Sequence, residues 1–371
     1  MRGPEMPAAL RVLAPESDGV PSATPILGLP LARRVALAAQ RAGFSEILFE
    51  EAPGLAGALA GTAARIVPAL AGCDRTGASS AGGPLQTEAR PAAPARELVL
   101  PSGAIPRIDW LRRRRERPDV EEAPGAGAGL FRLRTARDVG PAERWLLQGL
   151  IKDTEGFFSR HFERRVSLAI TKRLVRTPVT PNAMTAISVA VGLIAASFFL
   201  SISLAWQFAG ALLFLLHSIL DGCDGELARL KFTESRLGGV LDFWGDNVVH
   251  SAVFGCMAIG WGRAAGDLRP LVAGAAAIVG TLGSAAYVYR HAMAPVREGP
   301  QFTSVTAGAP TRLSRLADAL ARRDFIYVVI LLSAFGRAHW FLALAAVGAP
   351  LFFFFLVAIE VYGRRLGRSL S

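Results

Sequence analysis

Beyond about residue 178 the chain alternates long apolar runs with short polar joints. Six apolar segments stand out, over about 183–204, 205–230, 237–261, 268–289, 325–336 and 340–362. A membrane-spanning helix needs roughly 20 apolar residues; five segments meet that length and the fifth, about a dozen residues, falls short. Just upstream, over 142–176, Leu146, Leu150, Phe157, Phe158, Phe162, Val166, Ile170 and Leu174 recur at three- and four-residue steps. Arg160, Arg164, Arg165, Lys172, Arg173 and Arg176 fill the other positions. That pattern predicts one or two basic amphipathic helices lying in the membrane interface, against the alternative of a core-facing helix in a soluble domain. Nearer the start, residues 25–49 read as a loop, an amphipathic helix over 31–41, a stop at Gly43 and a strand over 47–49. Residues 97–110 offer another short strand and turn, and the Ser/Gly/Pro/Ala-rich stretch 73–95 reads as an unstructured loop.

Charge decides what surrounds these segments. The net charge of +11 and a pI near 10.6 could signal nucleic acid, but the basic residues sit in joints beside apolar runs, which fits a membrane-surface bias instead. Lys231 and Arg236 lie between segments two and three. Arg290, Arg297, Arg312, Arg315, Arg322 and Arg323 lie between four and five, and Arg364, Arg365 and Arg368 in the tail. The alternate joints hold only Arg263 and Arg269 in one, Arg337 in another, and none between the first two segments. Six spans with both termini cytoplasmic put every basic joint inside. The run Arg112–Arg115 with Arg117 reads as a solvated surface or linker, ahead of a nucleic-acid or phospholipid patch, and 123–129 as a flexible linker. Cys73, Cys223 and Cys256 are too scattered for a disulfide framework or a zinc site. Residues 1–20 show no secretory signal pattern.

One stretch carries chemistry. Between Asp221 and Asp246 the chain reads DGCDGELARLKFTESRLGGVLDFWGD. Asp221 and Asp224 are three apart and share one helix face; Asp242 and Asp246 are four apart and share another. The joint 231–236 lets the two faces converge. Acidic groups at membrane depth are unfavourable, by roughly 2.5–3.5 kcal/mol each even on the lenient scale, so they mark a functional site. Four carboxylates side by side call for a cation, and oxygen-only ligands suit Mg²⁺, Mn²⁺ or Ca²⁺.

Asp221-x2-Asp224-Gly225-x2-Ala228-Arg229-x8-Gly238-x3-Asp242-x3-Asp246 resembles, at all eight positions, the signature of the CDP-alcohol phosphotransferase family. The resemblance runs from about Leu150 onwards, and within the family it is nearest the inositol-phosphate branch, over 159–167 and the entry 177–182. It implies an enzyme that moves a phosphoalcohol group from a CDP-alcohol to an acceptor alcohol and releases CMP. The donor would be CDP-diacylglycerol or CDP-inositol, and inositol phosphate is one candidate acceptor. A homodimer in the bacterial cytoplasmic membrane, in contact with lipid and without nucleic acid, goes with it.

Two Mg²⁺ or Mn²⁺ ions bridging carboxylates and phosphate oxygens suit that chemistry. Asp221, Asp224 and Asp242 are then the main metal ligands; Asp246 also reaches a metal and, by resemblance, is the general base. Gly225 and Ala228 keep the backbone open to a nucleotide, Arg229 offers a bidentate donor to phosphate, and Gly238 allows close approach at the start of the third span. By resemblance Ser235 touches the nucleotide. Asn182 and Thr185 either line the nucleotide cleft or cap their helix. His217 is either a support for the cluster or packing; Asn247 and His250 border an acceptor pocket in this reading, and Arg290 and His291 anchor a helix end or meet an acceptor phosphate.

The expected fold is an all-α membrane domain of six spans plus the interfacial helix over 142–371, a linker over 123–141, and a small α/β domain over 1–122. That first domain weakly resembles a sugar nucleotidyltransferase, but no Gly-rich loop with a basic residue follows its start, so it reads as degenerate, in a structural or docking role. A divalent-cation carrier using the same acidic cluster is the alternative function; it calls for polar residues through the outer half of the spans, which here are apolar.

Overall fold

A computed structural model describes residues 9–15, 19–68, 97–117, 129–151, 159–294 and 325–368. The loop expected over 73–95, Phe157, Phe158 and the arginines between 297 and 323 lie outside the described residues. The chain divides into two compact units, Met1–Leu150 and Ile151–Ser371.

The first unit is built on a parallel sheet. Strand β1 (Ala9–Val12) lies between β4 (Glu46–Glu50) and β6 (Glu97–Leu100), with Leu10 opposite Ile47 on one side and Leu98 on the other. Strand β5 (Arg65–Val67) extends the sheet beyond β4, giving the order β5-β4-β1-β6. Helix α1 (Leu31–Ala42) buries Leu31, Ala32, Val35, Ala36 and Ala39 and ends at Gly43, whose φ of +88° suits a residue without a side chain. Helix and strand thus fall where the periodicity puts them.

The buried face of α1 also carries a charge. Arg34 donates from Nε and Nη2 to the Ile26 carbonyl, at 3.3 and 2.9 Å, and from Nη2 to that of Leu27 at 3.3 Å; Glu143 accepts from the Leu27 amide at 3.1 Å. Together they hold the tight turn between β2 (Pro25–Ile26) and β3 (Leu29–Pro30), where Leu27 sits at φ +45°. Burial pulls the Arg34 guanidinium down to about 10, and nearby Glu143 opposes that shift.

The arginine run has a structural use. It lies on α3 (Ile108–Glu116), where Arg112 donates to the Arg41 carbonyl at 3.2 Å and Arg115 to that of Gly43, so both cap the end of α1. Arg114 lies over the Trp110 ring. Part of the stretch expected as a linker over 123–141 folds into the same unit. Strand β8 (Leu130–Arg132) pairs antiparallel with β7 (Ala104–Pro106), and α4 (Val139–Gln148) offers Trp145, on which Arg107 stacks at 4.3 Å. A short helix α2 (Leu55–Ala58) completes the unit.

The second unit is helical: α5 (Arg164–Leu174), α6 (Pro181–Phe198), α7 (Leu204–Lys231), α8 (Arg236–Ala265), α9 (Arg269–Val288), α10 (Phe325–Ala334) and α11 (Ala338–Arg368). Helix α5 lies in the second half of the amphipathic segment, whose first part is α4 of the first unit, and the other six helices fall on the six apolar stretches. Four of the apolar stretches are long and apolar enough to cross a membrane: Pro181–Phe198, Leu204–Lys231, Arg269–Met293 and Ala338–Val361. Helix α8 is 30 residues long, but its polar residues hold it below that mark, and α10 has 10 residues. Glycines let the backbones close up: a Cβ on Gly280 of α9 would lie 2.4 Å from the Pro350 nitrogen of α11, and one on Gly260 of α8 2.5 Å from the Phe199 carbonyl oxygen.

Helix α5 turns a polar side to the bundle. Ser167 and Thr171 are its buried positions, Glu163 just before it and Val175 just after it are buried too, while Val166, Ile170 and Leu174 are only half-buried and Phe162 is exposed. Along the helix itself the inward positions, Ser167 and Thr171, are polar and the apolar stripe looks outward, the arrangement an interfacial helix calls for.

Candidate metal centre between two helices

Helices α7 and α8 are joined by four residues. Helix α7 ends at Phe232, in the left-handed conformation at φ +56°, and Lys231 ties that end down by donating to the carbonyls of Thr177 and Val179 at 2.8 and 2.7 Å. Helix α8 starts at Ser235, whose Oγ accepts from the Gly238 amide at 3.0 Å. The acidic faces on either side of this joint therefore meet.

Asp221 and Asp224 of α7 and Asp242 of α8 each offer a carboxylate oxygen, and the three atoms lie within 4.8 Å of one another. Asp221 and Asp224 are buried and Asp242 is half-buried. At that spacing two ionised carboxylates repel by about 3 kcal/mol or more, taking an effective dielectric of about 20. A divalent cation among them removes the repulsion, and a set of hard oxygen donors of this kind fits Mg²⁺ or Mn²⁺. Asp246 stands one turn further along α8, outside that group of three, with Oδ1 3.5 Å from Nε2 of His217. The ring's Nδ1 faces the Ser188 carbonyl of α6 at 2.8 Å.

Helix α6 adds a second support. Thr180, not Asn182 or Thr185, caps it, accepting from the Ala183 amide at 3.2 Å. That frees the other two. The Thr185 hydroxyl donates to Oδ2 of Asp224. Asn182 reaches α8: a Cβ on Gly238 would lie 2.9 Å from its Oδ1 and 3.0 Å from the Ser235 Oγ. Gly238 thus leaves room for two polar side chains at the mouth of the cluster. Arg229 folds back along α7, its Nη1 and Nη2 3.4 and 3.7 Å from where a Gly225 Cβ would be. Ala228 is half-buried on the same helix, and its carbonyl accepts from the Thr233 amide at 2.9 Å as α7 ends.

The other candidates have contacts of their own. His291 meets Glu360 at 3.7 Å and stacks on Tyr287, which itself donates to Glu360; Arg290 is exposed. Asn247 donates to its own helix at the Phe243 carbonyl, 2.8 Å away. His250 packs edge-on against Phe214 and Phe325. Residues that the sequence pattern did not single out are Ser188 and, behind α7, Glu226 with its partners Ser167 and Thr171. Glu226 had a weak signal, a carboxylate inside an apolar helix, but its partners are 55 or more residues away.

Residues 178–361 match the family model described as CDP-alcohol phosphatidyltransferase. Among curated proteins, the bifunctional IPC transferase and DIPP synthase of Thermococcus kodakarensis is 38% identical over 144 residues, 38% of this chain and 32% of that protein. The protein of the same name from Archaeoglobus fulgidus is 43% identical over 110 residues, 29% of this chain and 21% of that one. The chain thus spans a third or less of the length of these relatives. A crystal structure of Mycobacterium tuberculosis phosphatidylinositol phosphate synthase with CDP-DAG bound aligns over 52% of this chain and 94% of that one, at 23% identity and a TM-score of 0.36. Residues 178–361, the part that holds the acidic cluster, form a CDP-alcohol phosphatidyltransferase family domain.

Proposed function

We propose that this protein transfers a phosphoalcohol group from a CDP-alcohol to an acceptor alcohol, releasing CMP at the cytoplasmic side of the membrane. The observation that carries this reading is the convergence of Asp221, Asp224 and Asp242 from two helices to within 4.8 Å. Those three hold the cation, with Asp246 in reach one turn away. Bound Mg²⁺ or Mn²⁺ supplies neutralisation of the pyrophosphate and of the leaving CMP. Asp246 takes the proton of the acceptor hydroxyl, His217 beside it fixing the carboxylate. The freed oxygen bonds to the phosphorus that carries the alcohol, and the bond from that phosphorus to the bridging oxygen breaks, leaving CMP. Arg229, laid along Gly225, meets donor phosphate; Asn182, Ser235, Gly238 and Thr185 border the nucleotide.

Six spans with both termini cytoplasmic place both acidic faces at one depth near the inner boundary, and the basic joints support that orientation. The names of the two curated relatives support the inositol-phosphate branch, with CDP-inositol or CDP-diacylglycerol as donor and inositol phosphate as acceptor. Assembly is as a homodimer. The first unit is read as a nucleotidyltransferase-like domain without transfer activity. In open parallel sheets ligands sit beyond the carboxyl ends of the strands where the strand order reverses, here next to β1. At that end the buried Glu50 already takes the Ala14 amide, at 3.1 Å.

The test is CMP release by purified protein, given CDP-inositol or CDP-diacylglycerol with inositol phosphate and Mg²⁺ or Mn²⁺. Metal-dependent CMP is expected from one of the donors. No CMP from either, alongside metal movement across a sealed vesicle, would favour the cation-carrier reading instead.

A further inference from the structure

The side of α7 turned away from the acidic cluster carries another carboxylate, one the transfer reaction does not use. Glu226 is fully buried. It follows Asp224 by two residues, about 200° around the helix. Its Oε1 accepts from Arg164 Nη1 at 2.9 Å and from Ser167 Oγ at 2.7 Å, and its Oε2 from Thr171 Oγ1 at 2.7 Å. Nearer the start of α5, the buried Glu163 accepts from Ser218 at 3.1 Å and from Tyr327 at 2.9 Å. The pairs Glu163–Ser218 and Thr171–Glu226 are both 55 residues apart, so α5 runs alongside α7 in the same direction without slipping. A Cβ on Gly222 would lie 3.0 Å from Arg164 Nη1. The guanidinium therefore occupies the space a side chain at Gly222 would take, within the very turn that holds Asp221 and Asp224.

A buried carboxylate is tolerated only when its bonds are satisfied, and this one has three, one of them from a charged donor. All three named donors belong to α5, so α7 cannot turn about its own axis without losing them. Side chains reach about 5–6 Å from a helix axis, so a 20° turn would carry Asp221 and Asp224 through about 2 Å. Reactive constellations need to be held to about 0.5 Å.

We propose that Glu226 is a positioning residue for the transfer reaction. Gripped by Arg164, Ser167 and Thr171, it sets the rotation of α7 and with it the spacing of Asp221 and Asp224 against Asp242. The proposal rests on reading those three aspartates as the metal site.

The test uses the full chain in detergent, as wild type, Glu226→Gln and Thr171→Val. Mn²⁺ affinity is measured without substrate, from the electron paramagnetic resonance of free Mn²⁺, alongside kcat and the acceptor KM for CMP release. Both variants are expected to bind Mn²⁺ about fivefold or more weakly and to lose about tenfold in kcat, in the range seen when supports of metal ligands are removed, with acceptor KM within about twofold. A contact that only holds the fold would lower the thermal midpoint and leave Mn²⁺ affinity of the folded protein where it was. Should Glu226→Gln not fold, Thr171→Val, equal in shape and lacking one donor, decides alone. Mn²⁺ affinity and kcat within about twofold of wild type in the folded variants overturn the proposal. A wild-type chain that binds no Mn²⁺ overturns the metal reading itself, and this inference with it.

Discussion

His217 turns its Nε2 towards Asp246, 3.5 Å from Oδ1, while its Nδ1 sits 2.8 Å from the Ser188 carbonyl. A carbonyl oxygen only accepts, so Nδ1 carries a proton and the ring's orientation is fixed from α6. The same ring stacks on Phe214, with centroids 5.9 Å apart and planes 12° from parallel. One side chain thus joins the backbone of α6, the core of α7 and the carboxylate of α8.

Replacing His217 with Ala removes the neighbour that holds Asp246. Losing such a support typically lowers activity by about 10–100-fold. The kcat for CMP release is expected to fall in that range, with donor KM within about twofold. Steady-state kinetics at saturating Mg²⁺ measure it, and a kcat within threefold of wild type, to the same order, would remove His217 from any positioning role.

Thr185 has one hydroxyl proton and two acceptors, Asp224 Oδ2 and the Pro181 carbonyl at 3.2 Å. The charged oxygen is the stronger acceptor and takes it. Thr185→Val keeps the shape and deletes the donor, so the Mn²⁺ concentration for half-maximal activity is expected to rise by about fivefold or more, while Thr185→Ser stays near wild type. Equal metal requirements in all three proteins would dissociate this hydroxyl from the site.

Gly192 lies where α6 meets the other two helices. A Cβ there would come 2.6 and 2.7 Å from the Val249 methyls and 3.0 Å from Cγ of His217. Gly192→Ala is therefore expected to destabilise the bundle by about 1–3 kcal/mol and to lower the thermal midpoint in detergent. Val249→Ala in the same chain opens that space and should restore part of the loss. An unchanged midpoint in the single variant would show that α6 can move away freely.

How much of this was legible beforehand follows from the range of each signal. Helix α1, its stop at Gly43 and strand β4 rest on local periodicity and one residue with a left-handed φ, and they lie where expected. The pairing of acidic faces was legible because three- and four-residue spacings map directly onto a helix face. Strand β1 was missed: Ala9–Val12 is only four residues long and includes Arg11, whose charge is answered by Glu97 on β6. The apolar stripe of α5 was legible too, but the polar stripe finds its hydrogen-bond partners on α7, beyond the reach of any local pattern. Of the two readings left open for Asn182 and Thr185, capping falls to Thr180 instead, because the cap lies just before Pro181, the first residue of α6.

The last expectation concerns pH and the first unit, at the entry to α4. Asp138 Oδ2 accepts from the backbone amides of Arg134 and Thr135, both at 2.9 Å. These bonds favour the ionised form and hold the carboxyl below its usual value of 3.8, the Thr135 amide acting most strongly. A carboxyl whose folded pKa is depressed gives its full support above the unfolded value and loses it as pH falls through the folded one. The Arg134 and Thr135 amides should therefore exchange slowly at neutral pH, relative to Asp138→Ala, and the difference should vanish only below pH 3.8. Hydrogen exchange followed by mass spectrometry on a peptide covering 133–140, in wild type and variant over a pH series, measures this. Because the carboxylate is exposed, salt should weaken the effect without moving its sign. Protection that disappears well above pH 3.8, or that survives in Asp138→Ala, would mean that some other contact starts this helix.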